Sequence, residues 1–89
     1  MMLNLFSKVI TLNIEDKSRV DLDFDSKNVI IKGYDSLIVI KGGGNKIRIV
    51  GNDNDIIIYG KNNQIKIDGK NNNPRYIVDH SILEFNDEP

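Results

Sequence analysis

The sequence predicts an all-β fold: a small parallel β-solenoid of about five two-sided coils, each of roughly 18 residues. Three observations predict it. Gly42 to Asp68 reads GGGNKIRIV, GNDNDIIIY, GKNNQIKID, three units of nine residues that each fit G-x-x-N-x-I-x-I-x. Within each unit the apolar residues are two apart, so they share one face of a strand. The residue between them differs in character from one unit to the next.

The phase is legible over the whole chain. Glycine recurs at Gly33, Gly42, Gly51, Gly60 and Gly69. The fourth place holds Asn45, Asn54, Asn63 and Asn72, with Ser18, Ser36 and Ser81 further out and Lys27 as the exception. The inward pairs are Ile38 with Ile40, Ile47 with Ile49, Ile56 with Ile58, and Ile65 with Ile67. Isoleucine suits a pleated, half-buried surface. Alternation with recurrent glycine excludes a helix. Glycine opens each turn because it takes positive φ without a Cβ clash. Asparagine tolerates the left-handed region, bonds turn backbone, and can stack into an amide ladder.

Nine residues are too few to close a coil around a filled core, so two units are needed. On alternate units the outward middle residue runs Asn4, Asp21, Val39, Ile57, Arg75. On the others it runs Asn13, Ile30, Arg48, Lys66, Glu84. One outer face is therefore apolar at its centre and the other basic. A three-sided coil would mix the two sets. Five coils at the strand spacing of ~4.8 Å make a stack of roughly 24 Å.

The 89 residues form one domain. Residues 1–14 are the first coil and N-terminal cap, with Leu3 and Leu5, then Leu12 and Ile14, as inward pairs. Phe6 is placed to fold across the open end, where unpaired backbone must be blunted. One unit is then a residue short before Val20 and Leu22. Residues 15–72 are the regular coils. Asp21, Asp23 and Asp25 alternate there, and a solvated outer face and turn account for them. Residues 73–89 are the C-terminal cap and tail, with Pro74 and Tyr76, then Leu83 and Phe85, continuing the pairs. Proline cannot donate to a ladder and suits an edge.

The units resemble the glycine-rich nonapeptide repeats of calcium-binding β-rolls, of form G-G-x-G-x-D-x-U-x, which Gly42, Gly43 and Gly44 approach. Ile47, Ile56 and Ile65 stand where that family's aspartate belongs, so the resemblance implies the fold and no calcium site. The pattern over Gly33 to Asn72 is more similar to bacterial N-x-I-x-I-x-G repeat families of unknown function. Ice-binding solenoids share the short regular form, but they display threonine ladders and this chain has Thr11 alone.

Function is less legible. A net charge of −1 with 28% charged residues shows no base excess seeking nucleic acid. His80 is the sole histidine and there is no cysteine, so no nucleophile–base set can be assembled. GGGN is followed by no helix and no G-K-[ST], so it is no phosphate loop. No enzyme activity, cofactor or metal is expected. The start of the chain lacks a signal-peptide pattern and no run reaches membrane length, which predicts a cytoplasmic protein without membrane contact.

The expectation is a non-catalytic interaction and assembly protein. It would self-associate, as a homodimer, through a flat apolar face of Leu37, Val39, Ile57 and Tyr59 or through a coil end. Lys32, Lys46, Arg48 and Lys66 form a second, basic candidate face, with nucleic acid a disfavoured partner. Two alternatives stand beside it. One is a phage- or mobile-element-encoded inhibitor, anti-CRISPR-like, that blocks a host defence complex. The other is a fibre or spike segment.

Overall fold

A computed structural model of the protein describes residues 8–76 and 82–86, with Tyr76 and residues 82–86 described through their backbone. The chain forms strands β1 (Val9–Asn13), β2 (Arg19–Asp23), β3 (Asn28–Lys32), β4 (Leu37–Lys41), β5 (Lys46–Val50), β6 (Asp55–Tyr59), β7 (Gln64–Asp68), β8 (Asn73–Tyr76) and β9 (Ile82–Asn86). No helix occurs among the described residues. Odd and even strands separate into two parallel sheets, ordered β1-β3-β5-β7-β9 and β2-β4-β6-β8. The fold is a parallel β-solenoid with two-sided coils, as the alternation of outer residues requires. It has about four turns rather than five. Leu3, Leu5 and Phe6, expected in the first coil, lie outside the described residues.

Successive strands of a sheet pair eighteen residues apart, Ile47 on Ile65 and Ile38 on Ile56. Pro74, Tyr76, Leu83 and Phe85 fall in register with Ile56, Ile58, Ile65 and Ile67, continuing the inward rows by backbone. The first coil departs from expectation. Ile10 and Leu12, not Leu12 and Ile14, pair with Val29 and Ile31. Ile14 instead leaves the strand and packs over Gly33, where a Cβ would lie 2.6 Å from its Cγ1. Glycine thus makes room for a third apolar residue, and the coil lengthens by one residue where a shortening was expected.

The core is a narrow aliphatic layer. Val29, Ile31, Ile38, Ile40, Ile47, Ile49, Ile56, Ile58, Ile65 and Ile67 are buried between the sheets. Ile10, Leu12, Ile14, Val20, Leu22 and Phe24 pack against them half-covered at the N-terminal end. Burying one such side chain stabilises by roughly 1.5–3 kcal/mol.

Turns recur every nine residues with one fixed backbone state. Lys17, Ser26, Asp35, Gly44, Asp53, Asn62 and Asn71 all lie in the left-handed region, with φ between 54° and 71°. The left-handed residue is the third of the unit, not the fourth-place asparagine. That asparagine serves the stack. Asn45, Asn54 and Asn63 are buried. Asn54 Oδ1 accepts from the Ser36 N–H at 3.0 Å, and its Nδ2 donates to the Gly33 carbonyl at 3.0 Å and to Asn72 Oδ1 at 3.1 Å. The buried turn amides of Ser36, Asn45 and Asn54 therefore find acceptors in the next coil, as buried polar groups must. Ser36 does the same with its hydroxyl, accepting from the Ser18 N–H at 3.1 Å. The glycine that opens the turn is required by the carbonyl beneath it. A Cβ on Gly51, at φ 148°, would sit 1.6 Å from the Gly33 oxygen.

The ladder has a direction that explains Pro74. The first residues of β4, β6 and β8 donate back to the preceding coil: Leu37 to Ser18, Asp55 to Ser36 and Asn73 to Asn54, at 2.8–2.9 Å. In a parallel strand the next residue then donates forward. Pro74 occupies such a forward position on β8, the last strand of its sheet among the described residues. It forfeits no bond to β6, and it offers no donor on the side away from β6.

Candidate interaction faces

The two outer faces carry the sites expected from sequence. On the four-stranded sheet, Val39 and Ile57 are in register at the centre, between Asp21 on one side and Arg75 on the other. Leu37 lies two residues before Val39 and Tyr59 two after Ile57, so all four share this face. Val39 is only 4% exposed, whereas Tyr59 is 38% exposed; Leu37 and Ile57 are half-buried. Charged residues rim the patch. Asp55 is in register with Leu37 and Lys41 with Tyr59. Arg19 pairs with Asp21 at 3.5 Å, both side chains well exposed. Asp21 and Asp23 point outward from β2, while Asp25 belongs to the turn and accepts from the Gly43 N–H at 3.0 Å.

The five-stranded sheet gathers Lys46, Arg48 and Lys66. Arg48 and Lys66 are in register, with Ile30 preceding them in the row. Thr11, not Asn13, begins that row, because of the longer first coil. Lys32 falls in a separate row with Val50 and Asp68. Arg48 Nε is ion-paired to Asp68 Oδ2 across two rows. A concavity of about 430 Å³ opens on this face, lined among others by Val9, Asn28, Ile30, Lys46, Gln64 and Lys66. Val9, 51% exposed, and Ile30 make part of it apolar. Ile30 is in the outward row expected from sequence; Val9 is not, although it keeps the outward parity of the lysines.

Among the described residues no three of His, Cys, Asp and Glu converge as metal ligands. No helix there is long and apolar enough to cross a membrane. His80 and Ser81 lie outside the described residues. Comparison with known proteins finds no family model, no curated protein and no solved structure that matches the chain.

Proposed function

We propose that this is a non-catalytic interaction and assembly protein that self-associates through the outer face of its four-stranded sheet. One observation carries the reading. Strands β4 and β6 hold continuous apolar runs, Leu37-Ile38-Val39-Ile40 and Ile56-Ile57-Ile58-Tyr59. Strands of parallel sheets read this way when both faces are covered, and alternate when one face meets water. The strand β7, Gln64-Ile65-Lys66-Ile67, shows the alternating form in the same molecule. The core covers one face of β4 and β6; a second copy covers the other.

The test is native mass with light scattering across a concentration series. The wild-type chain is expected to associate. Ile57→Lys, at a half-buried outward position, is expected to keep the β-sheet circular-dichroism spectrum and lose that association. A wild-type chain that stays monomeric at high concentration ends the proposal.

A further inference from the structure

The outer faces of the two sheets differ in their balance of charge. On the four-stranded sheet Arg19, Lys41 and Arg75 stand against Asp21, Asp23 and Asp55, cation for acid. On the five-stranded sheet Lys32, Lys46, Arg48 and Lys66 stand against Asp68 alone among the described residues. Asp68 is engaged by Arg48, whereas Lys46 and Lys66 have no ion pair there. Lys66 lies in register with Arg48, and like charges on neighbouring strands repel each other. The excess positive charge thus collects where the concavity of about 430 Å³ opens.

Two amides stand beside these cations. Asn28 and Gln64 are in register with Lys46, one on each side. The corner asparagines engage both ends of their side chains in the stack, as Asn54 does. The amides of Asn28 and Gln64 make no hydrogen bond among the described residues, although both line the concavity. The apolar lining lies towards the other end of the stack. Val9 is on β1 and Ile30 on β3, while the cations are on β5 and β7. With strands ~4.8 Å apart, Ile30 and Lys66 are separated by roughly 10 Å along the stack.

From this gradient we infer that the concavity binds a small amphipathic organic anion. Its acidic head lies between Lys46 and Lys66, where Asn28 and Gln64 add neutral donors, and its apolar body covers Ile30 and Val9. The volume falls within the ~300–1,000 Å³ of small-molecule sites. The lining strands β3, β5 and β7 each have a neighbour on both sides, so no backbone is offered for strand addition. Recognition therefore rests on side chains, and a compact ligand suits it better than an extended chain. Neither half of the ligand suffices. An anion alone meets exposed lysines, whose attraction is weak and screened by salt. An apolar body alone leaves the cations and amides without an acceptor.

This site is on the wall opposite the flat face proposed above and does not depend on it. The test uses octanoate as the probe, followed by backbone amide NMR shifts of the full chain. Octanoate is expected to saturate with a Kd of about 1 mM or tighter and to move amides of β3, β5 and β7. Acetate, which lacks the body, and octanol, which lacks the charge, are each expected to bind at least about tenfold more weakly. Octyl phosphate in place of octanoate distinguishes a phosphate from a carboxylate head by the tighter Kd of the two. Lys46→Gln combined with Lys66→Gln is expected to keep the circular-dichroism spectrum and to weaken octanoate at least about tenfold. Lys46→Glu, at an exposed position, serves as a second variant with the same direction. Ile57→Lys is expected to leave octanoate binding unchanged. Shifts that do not saturate, or that are confined to the four-stranded sheet, overturn the inference. So does acetate matching octanoate, or a folded lysine variant that binds as the wild type does. Each of those outcomes leaves the flat-face reading standing.

Discussion

Asn45 and Asn63, eighteen residues apart, are joined twice. Asn63 Oδ1 accepts the Asn45 backbone N–H at 3.1 Å and the Asn45 Nδ2 at 3.1 Å. Asn63 Nδ2 meanwhile donates to the Gly42 carbonyl at 3.0 Å. The side chain thus behaves like a piece of main chain at a corner where the main chain alone leaves donors unmatched.

Removal of such an asparagine is expected to be severe. Asn54→Ala strands the buried Ser36 N–H and removes the donor to the Gly33 carbonyl. Leaving buried groups unpaired at ~1–3 kcal/mol each predicts a loss of roughly 2–6 kcal/mol. Asn54→Ser keeps an acceptor, as Ser36 does in the same column, and is expected to lose about half as much. Urea titration followed by circular dichroism measures both. Equal losses for Ala and Ser would show that the acceptor is not what matters.

Two glycines should respond in opposite ways. Gly51→Ala forces a Cβ to 1.6 Å from the Gly33 oxygen and is expected to abolish folding. Gly44, at φ 71°, leaves a Cβ no closer than 3.4 Å to the Ser26 hydroxyl. Asn62 and Asn71 hold the same turn position. Gly44→Asn is therefore expected to change stability by less than ~1 kcal/mol, helped by a less disordered unfolded chain. Thermal melts of the two variants decide the point.

Core truncation should depend on position along the stack. Ile49 is fully buried, with Ile31 and Ile67 on either side in its row. Ile49→Ala is expected to destabilise by about 2–5 kcal/mol, the usual range for such a cavity. Val20 is half-covered near the N-terminal end, and Val20→Ala should lose distinctly less. Denaturant midpoints for the pair test the gradient; equal losses would count against an end that is loosely packed.

The Arg48–Asp68 ion pair should matter little to folding. Arg48 keeps 52% of its side-chain surface and Asp68 13%. Partly exposed pairs contribute up to ~1 kcal/mol and are screened by salt. Arg48→Ala is expected to lose no more than that, with the difference shrinking in 1 M salt, as read from urea midpoints.

The two-walled coil was legible because Arg48 and Lys66 on one wall, and Val39 and Ile57 on the other, are chemically unlike. The left-handed turn position was not legible. Five of its occupants, Asp35, Gly44, Asp53, Asn62 and Asn71, are residue types that tolerate the left-handed region, but Lys17 and Ser26 are not, and the neighbouring fourth-place asparagines carry the same signal. The first coil was misphased because Ile10, Leu12 and Ile14 alternate without a break. A shift of two residues keeps every apolar side chain on the same face, so pattern alone cannot choose between the registers. Gly33 decides it, and that is a contact across a whole coil. Exposure was equally hidden: nothing in the sequence separates Val39, nearly covered, from Tyr59, which faces water.

The asparagine columns point one way. Asn45 leans on Asn63 and Asn54 on Asn72, each corner waiting for an acceptor made eighteen residues later. While the chain is being synthesised, the newest corner always has thirsty amides, and only the one behind it is quenched. A corner is therefore completed only when the chain has made one more full circuit.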